Sequence, residues 1–447
     1  MSSKVNLSWI ASQFEDKNDL IQKKLELDHK QITVLFIKSL IDQELYQKYI
    51  INPFFELPTQ EQFNLYLFAL PQFQEVPSKE KALYFVMEGN VLIEIQDNLY
   101  SLDFKLSKNS DVNSTSVETT IHGSELALSD NLMTNINVIR SSYHQPSLMI
   151  EYFEKGEVNK PKMALIYDDK KVKRKALESI REKLEKIDMQ VITEAPQFNT
   201  LLNDQRYSLF PKMLLTERPD RIVYNLAGGK VILLVDGSPQ SMIAPVVFFD
   251  FMTTMEDNYH TLAISYYLKL LRYIGIFVCI LLPGIYIGAV SFSPEVFRTE
   301  LMLTIAGSRM GVPFTSFVEV LFMLFFMELL LEASIRLPKA ISATAATVGG
   351  LILGTAVTEA ALASNIMVII VSAVAISTFV IPVNEMAFAI RIVRLMLIVV
   401  ASIFGLAGLT LGFLCFIMYL VNLTSFGEPY LRFYNYRKGN QDSEGQA

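Results

Sequence analysis

The chain has 447 residues, of which 51% are hydrophobic and 19% charged, with a net charge of −7 and a mean hydropathy of +0.31. That is too apolar for an ordinary soluble protein of this length, and the interspersed acids and bases leave no basic groove for a nucleic acid. The two cysteines, Cys279 and Cys415, both stand in apolar runs, where a thiol acts as a small hydrophobe and says nothing about redox compartment.

The soluble part comes first. Residues 1–16 are polar, interrupted by Lys4, Glu15 and Asp16, and lack the apolar core of a secretory signal, so the head is expected to stay in the cytoplasm. Residues 32–37 are β-branched enough for a strand, and 42–51 predict a helix. Residues 90–95 and 99–106 flank a polar turn at Asp97 and Asn98 and predict a hairpin, with 107–116 as an exposed Ser/Asn-rich loop. A second unit is expected to begin near Lys160. It comprises a strand at 163–167, a helix over 173–187 from the spacing of Ala176, Leu177, Ile180, Leu184 and Ile187, a strand at 190–193, and a hairpin of 230–235 with 241–244 around Asp236 and Gly237. The expected fold is an α/β soluble N-terminal head of two small subdomains (1–159 and 160–262), then an all-α polytopic membrane domain (263–430) and a polar tail (431–447).

The head offers little chemistry. Gly228, Gly229 and Lys230 lack the spacing of a phosphate loop and read as a turn into the hairpin. The basic run 170–175 reads as the solvated start of a helix, or as a surface for anionic lipid or a partner. His29, His122, His144 and His260 have no metal-ligand spacing, and there is no nucleophile elbow. No cofactor, metal or enzymatic activity is expected.

In the second half, residues 273–290, 366–383 and 395–423 contain no charge, and each is long enough to cross about 30 Å of hydrocarbon. With five crossing segments, the positive-inside rule puts Lys269, Arg272, Arg336, Lys339, Arg391 and Arg394 on one side; Arg432, Arg437 and Lys438 fit that count badly, which leaves the number of crossings open. The apolar helix expected over 314–335 carries Glu319, Glu328 and Glu332, costly in a membrane unless they face water or a partner. Glu328, Glu332 and Arg336 are spaced by four and share a face, with Glu319 roughly opposite. That face reads either as an acidic, water-lined ion path or as an interfacial helix with internal Glu–Arg pairing. Residues 340–363 form a small-residue packing helix containing Gly349, Gly350 and Gly354, with Glu359 at the interface or in a pore. Pro283 and Pro382 can bend their segments, as a gate or a fixed kink, and Gly405, Gly408 and Gly412 have packing spacing in the last span.

A series of short motifs gives this half its character. In order they are VILLVDGSP (231–239), FFDF (248–251), LLRY (270–273), LLPGIYI (281–287), SRMGVPF (308–314), FVE (317–319), MELLLE (327–332), RLPK (336–339), VGGLILG (348–354), MVII (367–370) and SFGEPYL (425–431). In this order, and with Arg218, Pro219 and Asp220 in the head, the chain resembles the A-subunit family of spore germinant receptors, the GerA family. The family-motif residues include Arg309, Gly311, Val312, Pro313 and Phe314, and Arg336, Leu337 and Pro338; no single motif is decisive, and the ordered set carries the likeness. The resemblance implies an oligomeric protein of the spore inner membrane that works with a transporter-like B subunit and a lipoprotein C subunit, and opens an ion-conducting path at the start of germination. The chain departs from the family pattern at Thr315 and Ala340, where prolines are usual, and at 122–126, where HGSEL replaces a Gly-Pro-Arg-Glu-Gly-like stretch. An accessory or scaffold paralogue without its own pore and, less favoured, a secondary transporter are the alternative readings; no pair of repeated broken-helix segments supports the last.

Overall fold

The computed structural model describes residues 6–432 apart from 16–17, 28, 97, 107–112, 116–117, 119, 121, 188 and 203–207. The first sheet is antiparallel throughout. Its strands β1 (Leu20–Leu27), β2 (Lys30–Ile37), β3 (Gln74–Glu75), β4 (Asn90–Ile95) and β5 (Asn98–Asp103) lie in the order β1-β2-β4-β5-β3. The expected hairpin is β4 and β5. Asp97 and most of the loop at 107–116 lie outside the described residues; Asn113 and Ser114 pair with Leu126 and Ala127 in a short ladder.

The second sheet is also antiparallel, in the order β8-β10-β9-β7-β6. Its strands are β6 (Leu148–Glu154), β7 (Lys162–Asp168), β8 (Leu214–Thr216), β9 (Val231–Val235) and β10 (Ser241–Ala244). Strand alternation sorts its side chains onto two faces. Met163, Leu165 and Tyr167 meet Leu177, Ile180 and Leu184 of helix α2 (Arg174–Glu185). Ala164 and Ile166 share the opposite core with Ile136 and Ile139 of α1 (Leu132–Ser142) and Ile222 and Leu226 of α3 (Pro219–Ala227). Each such buried aliphatic side chain contributes about 1.5–3 kcal/mol.

Two expectations change here. Residues 190–193 form no strand: Ile192 is buried in the core, while its amide and carbonyl bond the side chain of Asn159 instead of a neighbouring strand. The division at 159/160 falls between β6 and β7, which pair along their whole length from Leu148 with Asp168 to Glu154 with Lys162.

The helical half follows: α4 (Leu262–Ser291), α5 (Thr299–Arg309), α6 (Ser316–Arg336), α7 (Lys339–Glu359), α8 (Asn365–Phe379) and α9 (Asn384–Asn422). α4, α9 and residues 341–359 of α7 are long and apolar enough to cross a membrane. α9 is two helices folded back on each other. Gly405 has φ 64° and ψ −150°, and beyond it Gly408 lies against Val400 and Gly412 against Leu397. The fold-back packs at the far end of α4, against Gly288 and Phe292. At about 1.5 Å per residue, the arms 384–404 and 406–422 are about 30 Å and 25 Å long.

The contacts give each helix its direction. α4 leaves the head; Ser316 at the start of α6 meets Ser291 at the end of α4, so α6 runs back. α7 is antiparallel to α6, with Ser342 bonded to Ser334 and Gly349 against Leu330. α8 starts beside Glu319 and ends beside Gly275 and Cys279, near the head. The arms of α9 go out and return, so the helices run six times along the bundle where about five apolar helices were expected and the number of crossings was left open; the last span contains a turn that its apolar sequence conceals. Six passes bring the chain back to the head. Thr424 and Ser425 pair with Pro429 and Glu428, and the ladder docks beneath the second sheet: Tyr430 Oη donates to the Pro211 carbonyl at 2.8 Å, Ser425 Oγ to that of Lys212 at 2.8 Å, and Phe248 N to that of Tyr430 at 2.8 Å. Arg432 therefore lies on the head side with Arg272 and Arg336; Arg437 and Lys438 lie outside the described residues.

Candidate functional site

Two polar clusters sit inside the bundle, and a third group of charges joins it to the head. In the head-proximal cluster, α6 directs Glu328 at the first arm of α9, which carries Arg391 and Arg394 one turn apart. Arg394 Nη2 donates to Glu328 Oε1 at 2.5 Å and Arg391 Nη1 to Oε2 at 3.1 Å. Arg394 is 0% exposed; its Nη1 also reaches Cys279 Sγ of α4 at 3.6 Å, and that sulfur lies 3.3 Å from Thr378 Oγ1 of α8. Four helices therefore share one polar knot. Two guanidiniums face one carboxylate, so the knot carries a surplus positive charge and ties the helices together. Arg391 and Arg394, expected only as flanking charges before the last span, are part of the bundle, because α9 starts at the head and carries them inward.

In the distal cluster, Glu319 is 0% exposed. Its Oε1 accepts from Ser364 N at 2.6 Å and Ser364 Oγ at 2.7 Å, while Ser364 Oγ accepts from Met367 N at 3.2 Å and caps α8. Arg309 Nε stands 3.4 Å from Glu319 Oε2, and Arg309 Nη2 donates to the Phe314 carbonyl at 3.3 Å. Glu319 thus fastens α6 to the start of α8 and to the end of α5.

The other expected site residues are distributed as follows. Glu332 pairs with Arg336 on the exposed face of α6 at 2.7 Å. Glu328 turns elsewhere, because four residues overshoot a full helical turn by about 40° and α9 offers it two cations. Glu359 is exposed at the end of α7. Gly349 packs against Leu330, whereas a Cβ added at Gly350 or Gly354 would meet nothing within 4 Å. Gly311 lies beside Ala361, Val312 N donates to the Arg309 carbonyl at 3.0 Å after which Pro313 leads on, and the Phe314 ring stacks on Phe322. Leu337 and Pro338 join α6 to α7, where Pro338 is the N-cap. Pro283 is buried within α4, and Pro382 lies in the link from α8 to α9.

Below the second sheet a collar of charges holds the head on the bundle. Arg218, 1% exposed, donates to both oxygens of Asp220 at 3.0 and 2.7 Å, to the Glu118 carbonyl and to Thr120 Oγ1. Tyr259 Oη donates to the same Asp220 at 3.0 Å. Burial raises the Asp220 pKa, but the hydrogen bond and charge of Arg218 outweigh it and hold this carboxyl below its ordinary 3.8. Arg221 pairs with Glu118, and Lys230 with Asp250. At the base of α4, Arg272 Nη1 donates to Asp257 Oδ2 at 2.6 Å and to the Met252 carbonyl at 3.0 Å, and Nη2 to Thr254 Oγ1 at 3.1 Å. Sequence reasoning found Arg218 and Asp220, and Asp250 within FFDF, as motifs and Arg272 as a flank; it missed Asp257, whose signal was that it repeats the Val/Thr-x-x-Asp spacing of Asp250, which lets each carboxylate accept a backbone N–H three residues back. The altered stretch at 122–126 meets this collar: Gly123, at φ 124°, lies against the Tyr259 ring, and the His122 and His260 rings are 5.9 Å apart, edge to face.

Comparison with known proteins adds the following. The model of the Bacillus/Clostridium GerA spore germination protein family matches residues 8–443. Spore germination protein KA of Bacillus subtilis (strain 168) is 31% identical over 441 residues, covering 95% of this chain and 80% of that protein. Spore germination protein GerLA of Bacillus cereus is 31% identical over 432 residues, covering 94% of this chain and 88% of that protein. Among solved structures, the N-terminal domain of the A subunit of the Bacillus megaterium spore germinant receptor GerK3 is 21% identical with a TM-score of 0.42, covering 56% of this chain and 98% of that one.

Proposed function

This chain belongs to the GerA family of spore germination proteins, the family of germinant-receptor A subunits, and from that premise we propose that it turns a nutrient signal into ion release at the start of germination. On this reading it is a membrane protein of the spore inner membrane with its head on the cytoplasmic (core) side. Several copies surround a cation path, gated together with a transporter-like B subunit and a lipoprotein C subunit.

The observation that carries the reading is the connection between head and bundle. Arg272 ties the collar to α4; two turns further along the same helix, Cys279 meets Arg394, and Arg394 holds Glu328 on α6. A displacement of the collar therefore reaches α6, the helix that carries Glu319, Glu328 and Glu332, three of the four acidic path candidates. Within one chain Glu319 and Glu328 both face arginines, so a conducting path runs between copies, along the faces bearing Glu332, Arg336, Glu359 and the open Gly350 and Gly354.

The test is monovalent-cation release from spores carrying Glu328→Gln or Glu332→Gln. Glu332→Gln is expected in the membrane at normal abundance with release lowered, and Glu328→Gln, which loosens the knot, with release uncoupled from nutrient; normal nutrient-dependent release with both carboxylates neutralised sinks the proposal. The second reading, a scaffold without a pore, is favoured by the same internal pairing of Glu319 and Glu328. It predicts no conductance from liposomes that contain the chain together with its partner subunits.

A further inference from the structure

A cleft of about 540 Å³ opens between the collar and the first turns of α4. Its floor is polar, with Arg221, Lys230, Asp250 and Asp257, and its outer lip is formed by Leu262, Tyr266 and Lys269. We propose that this cleft binds the headgroup of one anionic phospholipid, with Lys269 as the phosphate ligand and Tyr266 closing over the glycerol.

Three observations carry this. The first is depth. No charge occurs in α4 after Arg272, and from Tyr273 to Ser291 the helix extends about 28 Å, a hydrocarbon thickness. The hydrocarbon therefore begins near Tyr273, and Tyr266 and Lys269, up to two turns earlier, lie at the level of the headgroups. Tyr266 is 70% exposed, and its neighbours Leu262 and Leu270 are exposed with it, the amphipathic arrangement of an interfacial anchor.

The second is charge. Each carboxylate at the floor already has a cation: Asp250 has Lys230 at 2.7 Å, and Asp257 has Arg272 at 2.6 Å. Arg221 is likewise matched by Glu118 at 3.1 Å. Lys269 has no carboxylate partner among the described residues and is the surplus positive charge of the cleft, so one phosphodiester balances it. The third is the supply of neutral donors. Among the described residues Asn258 Nδ2 has only the Met255 sulfur at 3.9 Å, and the Thr254 hydroxyl, which accepts from Arg272, keeps its own proton to donate.

This inference does not depend on conduction. It makes the collar a lipid-sensing element, because the bound headgroup lies beside Arg272, the residue that ties the head to α4.

The experiment is native mass spectrometry of the full-length chain in mild detergent, titrated with phosphatidylglycerol or with phosphatidylcholine of the same acyl chains. One phosphatidylglycerol per chain is expected to be retained in preference to phosphatidylcholine. Lys269→Gln weakens that retention about five-fold, and Tyr266→Ala weakens it without altering the melting temperature, since its side chain is exposed. Lys186→Gln, exposed at the end of α2 and outside the cleft lining, leaves it unchanged. Equal retention of the two lipids, or undiminished phosphatidylglycerol binding by Lys269→Gln, overturns the proposal. So does displacement of the lipid by millimolar inorganic phosphate, which marks a site for the free anion.

Discussion

Arg394, fully enclosed by four helices, is held by Glu328 at 2.5 Å, while Glu332, one turn further along α6, meets Arg336 in the open. The two pairs have the same chemistry but opposite surroundings, so their carboxylates respond differently to removal. Glu328→Ala strands a guanidinium in a low-dielectric interior and is expected to cost about 3–5 kcal/mol. Glu332→Ala breaks an exposed pair and is expected to cost less than about 1 kcal/mol. Thermal unfolding of the purified chain in detergent separates them; equal melting temperatures for the two variants would show that Arg394 finds another partner.

The Arg218–Asp220 pair makes a prediction about pH. The folded pKa of Asp220 lies below its ordinary 3.8, so the carboxylate contributes stability that is present above pH 3.8 and lost as the pH falls through the folded value. Asp220→Asn is expected to lower stability at neutral pH by about 1.5–3 kcal/mol, the worth of hydrogen bonds to a charged group. It also flattens the acid limb of the stability profile below pH 3.8. A variant whose acid limb is as steep as that of the parent would assign the acid sensitivity to other carboxylates.

Much of the local structure was legible because it follows from neighbours in sequence. The hairpin around Asp236 and Gly237, the amphipathic α2 and the apolar runs of α4 and α9 are of this kind. What sequence order concealed is partnership. β6 precedes the expected boundary but pairs with β7 beyond it, since a strand's alternation does not name its neighbour. Arg391 and Arg394 had the spacing of flanking charges, and only the direction of α9 turns them into ligands of Glu328. Gly405 looked like Gly408 and Gly412, small residues at packing spacing; its left-handed backbone is what makes the last span a pair of helices.

Gly405 gives the third prediction. At φ 64° any other residue is strained, and a Cβ there would come within 2.9 Å of the Phe292 ring. Gly405→Ala is therefore expected to cost about 1–3 kcal/mol, whereas Gly350→Ala, whose Cβ would meet open space on α7, costs the single chain little. Yield and melting temperature in detergent report both; a Gly405→Ala chain as stable as the parent would mean that α9 runs on without the turn.

The number of passes is open to a direct measurement, and it decides where the C-terminal ladder can act. With Cys279 and Cys415 replaced by alanine, single cysteines at Lys186 in the head, Glu295 at the far end of α4 and Arg432 after the ladder can be labelled with a membrane-impermeant maleimide in sealed vesicles. Six passes place Lys186→Cys and Arg432→Cys on one face and Glu295→Cys on the other. Five passes would put Arg432→Cys with Glu295→Cys, and Tyr430 could then not reach the Pro211 carbonyl. Because that hydrogen bond, the Phe248 bond to Tyr430 and the Lys173–Glu428 ion pair at 2.6 Å all join the returning chain to the head, the same-face result carries a second consequence. Tyr430→Ala should then loosen the head from both ends of the bundle at once, seen as earlier protease cleavage near residues 208–212 with the helical content unchanged.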